Sequence, residues 1–366
     1  MLHKILTYEQ IDRTAWTNLV ETSTTGTWFQ TPEAYEFFAS QPELFKPFVV
    51  AIYNDASLSE AQHSINLSLQ TLRGVCVGYV TKEKNPLRQF FTRRAIIIGG
   101  PCLADDCTDE EVNALLCAVK STLLIGRDGV GFRPIYIETR NFNDYSKWKG
   151  AFEKIGFTYQ PHLNFHVDCT DLEKMRERMS ENRRRQVRHA TGDFNCKIAN
   201  GGLDNEQVTE QDVREWYAIL AELYRTKVRT PLWPAEFFIE AFRQGIGRFM
   251  FARHEGVIIG GSMVVTDGKA VYEWFECGLN VQYKDQYPSV FATFAGMCYA
   301  AQHGIPRYDM MGAGVPGVPY GVRDFKAEFG GDMVEYGRFL HIAKPVLYII
   351  GKWGVTVLKM RKRLSI

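Results

Sequence analysis

Two hydrophobic rhythms alternate along the chain. Period-two or β-branched runs at Phe48–Tyr53, Gly74–Thr81 and Ala95–Ile98 predict strands, the last ended by Gly99-Gly100-Pro101. A helix is expected over Gln30–Ala39 and another from Thr108, with Glu110 and Glu111 in its first turn, where carboxylates meet the free amides. Ile135–Glu138, a helix near Tyr145–Ile155 and a strand at Leu163–Val167 complete a first half. The second half predicts a helix over Leu172–Ala190, a strand at Phe194–Ala199, a helix over Glu210–Thr226 and one opened by Pro234. A meander follows at Arg248–Arg253, Val257–Thr266 and Lys269–Cys277, with turns at His254-Glu255-Gly256 and Asp267-Gly268. A helix over Ser289–His303 and a strand at Arg307–Met310 come next. A meander followed by helix and strand thus occurs twice. That order predicts an α+β fold of two tandem domains with mixed sheets rather than one doubly wound sheet. The boundary is expected near Asp168–Leu172, giving domains 1–168 and 169–342 and a tail 343–366. The stretch Asp55–Asn66, rich in Ser, Ala, Asp and Glu, reads as an exposed hairpin excursion.

The length of 366 residues agrees with two domains, and 43 Lys+Arg against 42 Asp+Glu leave a formal charge of +1. Such balance gives no reason to expect non-specific nucleic-acid binding. The eight cysteines include no CxxC pair and read as reduced core thiols, and neither they nor the eight scattered histidines form a metal-ligand set, so no metal is expected. The opening MLHKILTYEQIDRTAW lacks a secretory pattern, and no run of about 20 apolar residues is present, so a cytoplasmic protein is expected. From Lys344 the sequence is apolar, then basic at Lys359, Arg361, Lys362 and Arg363, without one acidic residue. It suits either contact with the inner face of an anionic membrane or a helix packed on the body.

Chemistry concentrates near Tyr308-Asp309, the glycine-rich Gly312–Gly317 and GVRDFKAEFGG at 321–331. A strand ending in a small-residue loop, then an amphipathic turn carrying Lys326, can bring an ammonium to a carbonyl under attack. In ENRRRQVRHA, helical spacing puts Arg184 and Arg188 on one face, where they either steer an anionic substrate or form a solvated face. No GxSxG elbow is present, and the proton acceptor is open between Asp309, Asp324 and the substrate itself.

WFQTPEAYEFF, RRAIIIGGPCL, ENRRRQVRHA, YDMMGAGVPG and GVRDFKAEFGG together resemble the Fem family of peptidoglycan interpeptide-bridge aminoacyltransferases and, more broadly, the superfamily of twinned acetyltransferase-like (GNAT) domains. The resemblance covers about residues 25–340. It implies two GNAT-like domains and transfer of an aminoacyl group from charged tRNA to an amine on a cell-envelope precursor, with no resident cofactor. It assigns oxyanion stabilisation to Lys326, with Phe325 as a positioning residue. Arg229 matches a family arginine that contacts precursor phosphates, with Trp233 as its aromatic neighbour and Tyr224 and Tyr272 as further substrate-binding candidates. Two departures stand out. The segment Gln282–Pro288 has no glycine where a coenzyme-A-binding GNAT domain carries Q/R-x-x-G-x-G/A, and Thr139-Arg140-Asn141 stands where the bridge-forming enzymes tend to have Asp-Pro. Two other readings therefore stay open: an N-acyltransferase of envelope polysaccharide synthesis using acyl-CoA or an acyl-carrier donor, and a non-catalytic peripheral membrane scaffold.

Overall fold

The computed structural model describes residues 4–54, 71–83, 85–125, 132–190, 198–200, 208–228 and 231–353. The chain divides into two compact units, one of residues 1–161 with 336–366, the other of residues 162–335.

The first unit contains β1 (Lys4–Leu6), α1 (Arg13–Thr22), α2 (Pro32–Ala39), β2 (Phe45–Asn54), β3 (Thr71–Thr81) and α3 (Pro86–Thr92). It continues with β4 (Arg94–Gly99), β5 (Cys102–Leu103), α4 (Asp109–Leu124), β6 (Tyr136–Asn141), α5 (Lys149–Lys154) and β7 (Thr158–Gln160). Its sheet runs β1-β2-β3-β4-β6, then a strand from the far end of the sequence at Arg338–Ile342, then β7, with β5 on β3. Both faces are covered, which is why β2 and β3 read as near-continuous apolar runs. Val112, Leu115 and Val119 of α4 pack with Phe152 of α5 on one face, and Trp16, Leu19 and Val20 of α1 on the other. α4 begins in a capping box, Thr108 accepting from the Glu111 amide while Glu111 accepts from the Thr108 amide.

The second unit contains β8 (Leu163–Asp168), α6 (Leu172–Arg178), α7 (Glu181–Arg188), β9 (Ile198–Asn200), α8 (Glu210–Leu223), α9 (Ala235–Arg243) and the meander β10 (Arg248–His254), β11 (Val257–Thr266) and β12 (Ala270–Gly278). α10 (Pro288–Gln302), β13 (Arg307–Asp309), α11 (Gly321–Ala327) and β14 (Asp332–Glu335) follow, and the strand at Arg338–Ile342 is β15. The sheet order is β14-β8-β13-β12-β11-β10-β9. α10 packs on one face through Val290 and Phe294, while Trp216 of α8 and Phe238 of α9 close the other over Phe249 and Phe275.

The expected α+β class with two mixed sheets is the observed one, and the meander, α4 and α10 lie within a residue or two of their expected bounds. The boundaries differ. β8, expected to complete the first half, pairs with β13 and β14 of the second sheet, and β15, expected inside a domain 169–342, pairs with β6 and β7 of the first. Membership was decided by ladder partners distant in sequence, which local periodicity cannot register. The helix expected over Leu172–Ala190 is two helices, because Met179 turns to extended backbone and Ser180 caps α7 on the Arg183 amide. Pro234 sits at the N-cap of α9, one position earlier than expected. The expected excursion at 55–66 and most of the expected strand 194–199 lie outside the described residues. Every described cysteine is free, and all but Cys117 are buried.

Candidate active site

Strand β12, AVYEWFECG, carries two carboxylates in an otherwise apolar run. In a regular strand Glu273 and Glu276 would face opposite sides. The ladder with β11 is irregular where Met263 pairs with Phe275 and Val264 with Glu273, so Trp274 has no opposite residue and the alternation flips. Both carboxylates therefore face α10: Thr293 donates to Glu273 Oε1 at 2.7 Å, and Ser289 lies beside Glu276. On its other edge β12 pairs with β13 over only three residues, ending at Tyr272 opposite Asp309, although β12 runs on to Gly278. β13 ends at that pair, so from Glu273 onward this edge of β12 has no ladder partner on β13.

Lys326 reaches this place from α11. The loop leaving β13 holds Met311 and Gly312 at φ of 53° and 108°, which turns successive carbonyls toward it. Lys326 Nζ donates to Met310 O and, at 3.0 Å, to Gly312 O, and stands 3.9 Å from Glu273 Oε2. Its side chain is buried, and Arg323 of the same helix donates to the carbonyls of Ala313, Val315 and Val318. One helix thus ties the whole glycine-rich loop. Burial lowers the Lys326 pKa against the pull of the carboxylates and raises that of Glu273. Burial and the charge of Glu273 push Glu276 up to about 8, and its Oε1 is buried without a hydrogen-bond partner. Glu273 is saturated by Thr293, Tyr308 and Lys326, whereas Glu276 has an oxygen to spare.

Of the two carboxylates that the sequence offers as proton acceptors beside the substrate itself, Asp324 is exposed on α11. Asp309 is fully buried, accepting from Asn164 and the Met311 amide through Oδ1 and lying 3.0 Å from His166 Nε2 through Oδ2. Burial opposes its ionisation, but His166, Arg307 and Asn164 outweigh it and hold the carboxyl below the usual range. Glu273 and Glu276 escaped sequence reasoning, though two acids in an apolar strand are a legible sign of buried carboxylates.

The arginine helix contributes through a residue that helical spacing did not select. Arg184 and Arg188 are exposed, Arg184 donating to Glu177 O. Arg183 is buried, its guanidinium 4.5 Å and 4.3 Å from the ring centres of Phe325 and Phe329. It donates to Phe325 O and pairs with Glu328 at 3.0 Å, and burial lowers its pKa to about 10. Phe325 is therefore held on both its ring and its carbonyl by α7. Tyr224 opens a π-helical turn, Tyr224–Val228, and burial beside Tyr320 and Glu276 pushes its hydroxyl to about 12. Tyr272 is wholly buried, its hydroxyl donating to Asp267 at the β11–β12 turn. Trp233 stacks obliquely toward Phe237 of α9, and Arg229 lies outside the described residues.

The start of α10 bears on the donor. A helix N-terminus of this kind can receive a pyrophosphate on its free amides. Here the first position is Pro288, which has no amide hydrogen, and the Ser289 amide donates to Asn280 Oδ1 while Asn280 Nδ2 donates to Ser289 Oγ. Gly278 is packed so close that a Cβ there would lie 2.7 Å from Ser289 N. These residues do not fit the pyrophosphate of coenzyme A.

Residues 173–327 match the family model described as Acetyltransferase (GNAT) domain, a stretch wholly inside the second unit that ends just past Lys326. No curated protein matches the chain. Among solved structures, FemX aligns with a TM-score of 0.67 at 14% identity, over 96% of this chain and 99% of its own. A tandem GNAT protein from the clavulanic acid biosynthesis pathway aligns at 0.55 and 9% identity, over 93% of this chain and 99% of that one. The C-terminal domain (DUF2156) of a putative lysylphosphatidylglycerol synthetase from Agrobacterium fabrum aligns at 0.53 and 10% identity, over 94% and 95%. The likenesses carry the fold, two GNAT-like units in tandem, and the stretch that matches the acetyltransferase (GNAT) domain model is the one that holds β12, Glu276 and Lys326.

Proposed function

We propose that the protein moves an aminoacyl group from a charged tRNA to an amine on a cell-envelope precursor of the peptidoglycan type. The observation that carries this reading is that Glu276, with its spare buried oxygen, and the Lys326 ammonium, close enough for its charge to act on that carboxyl, both lie past the end of the β12–β13 ladder. The amine nitrogen attacks the ester carbonyl, a C–N bond forms and the C–O bond to the ribose breaks. The amine proton passes to Glu276, and a carboxylate that titrates near 8 is matched to that task near neutral pH. Glu276 then returns this proton to the ribose oxygen, which leaves as the hydroxyl. Lys326 stabilises the oxyanion, which competes with Met310 O for one of its hydrogens. Phe325, fixed by Arg183, holds α11 in place. The occupied start of α10 favours an aminoacyl ester over an acyl-CoA donor. The Fem resemblance of the sequence and the likeness to FemX support the envelope acceptor.

The test uses the purified full chain with mixed charged tRNAs and a nucleotide-linked muropeptide bearing a free amine. A product heavier by one aminoacyl residue is expected. Transfer from acyl-CoA alone moves the assignment to envelope polysaccharide acylation, and no transfer from either donor refutes the proposal.

A further inference from the structure

Past β15 the first unit continues into a helical segment, residues 345–353. It meets the body through Tyr348, whose ring lies edge-on to Tyr136 at 5.6 Å, and through Gly351, where a Cβ would stand 3.9 Å from Phe91 O of α3. The opposite face is the apolar one. Val346, Ile349, Ile350 and Trp353 recur at i, i+3, i+4 and i+7, with Val346 70% and Trp353 71% exposed. α3 adds Leu87, also 70% exposed, and Phe90. An amphipathic helix seated on a body normally turns its apolar stripe inward, and an apolar stripe left outward marks a surface that is covered in use.

The rim is cationic. Lys344 lies close enough to Arg93 and Arg133 for their charges, after burial, to lower its pKa, and Lys352 sits on the segment itself. Neither 85–94 nor 344–353 contains an acidic residue. We propose that α3 and residues 345–353 form one docking face for an anionic phospholipid bilayer, Trp353 and the aliphatics entering the headgroup boundary while the basic rim meets phosphates. A second copy of the chain is the poorer occupant, because two acid-free basic rims would repel. The inference stands apart from the catalytic reading.

The experiment is flotation of the full chain with vesicles of phosphatidylglycerol and phosphatidylcholine, against phosphatidylcholine alone. Binding is expected only to the anionic vesicles and weakens at high salt. Leu87→Glu with Phe90→Glu, and separately Ile349→Glu with Trp353→Glu, each weaken it by about tenfold or more, because apolar burial and charge attraction both contribute. All four side chains are exposed, so circular dichroism and melting stay as in the parent. The proposal is overturned if the parent does not float, or if the α3 variant floats like the parent. It is equally overturned if sedimentation finds a dimer that both variants dissolve without any lipid binding.

Discussion

The two sheets share one strand plan and differ where the parallel pair runs. In the first unit β4 and β6 stay paired over six residues, from Arg94 opposite Tyr136 to Gly99 opposite Asn141. In the second unit the corresponding β12 and β13 pair over only three. The buried acids differ accordingly. Glu138 in β6 lies between two cations, Arg338 at 2.8 Å and Arg140 at 3.3 Å, which overcome burial and keep its carboxyl below the ordinary range. Glu276 makes no ion pair among the described residues; burial and the charge of Glu273 outweigh the pull of Lys326 and Arg183, and its carboxyl is pushed the other way, to about 8. A closed ladder with a paired acid is a stabilising device. An open ladder with an unpaired acid stores free energy, which is the condition of a group meant to exchange a proton.

Four variants and one ligand test press on this contrast. Lys326→Ala should lower kcat by about 10²–10³, the usual loss for one oxyanion donor, in the aminoacyl-transfer assay. It should also loosen the Met310–Gly312 loop, seen as faster amide hydrogen exchange there. Glu276→Gln should lower kcat/KM by about 10² and abolish a basic pKa near 8 in its pH profile, with the same variant of Glu138 leaving that profile in place. The stability effects have opposite signs. Because Glu276 binds its proton more tightly folded than unfolded, the parent loses stability as pH rises from about 4.5 to about 8, and Glu276→Gln should remove that slope in urea titrations across the range.

For Glu138 the folded pKa is depressed, so its contribution is present at neutral pH and is lost as pH falls through the folded value. Glu138→Gln should therefore destabilise by about 2 kcal/mol at pH 7, less than a wholly buried pair because both arginines are partly exposed. Calorimetry would show a melting shift of several degrees without loss of kcat. The smallest effect belongs to Asn280→Ala, which should cost about 1 kcal/mol by undoing the double hydrogen bond at Ser289. The parent should show no thermal shift with coenzyme A. A clear stabilisation of the parent by coenzyme A would instead contradict the filled helix start.

Much of this was legible in the residues. The β-branched runs, the Thr108 capping box and the Asp267-Gly268 turn placed the repeated strand and helix order, and GVRDFKAEFGG drew attention to Lys326. Arg184 and Arg188 satisfied helical spacing equally well as a site, yet the buried cation is Arg183, because which face of α7 meets α11 depends on where α11 packs. Local pattern determined the elements, since side-chain periodicity and caps act within a few residues. Only tertiary structure decided that β8 and β15 join sheets other than those their neighbours in sequence suggest, that a bulge turns Glu276 beside Glu273, and that the β12–β13 ladder ends after three residues. Those outcomes depend on ladder partners as much as 206 residues apart, as Ile342 is from Tyr136, and on the low dielectric they jointly enclose, which no window of sequence contains.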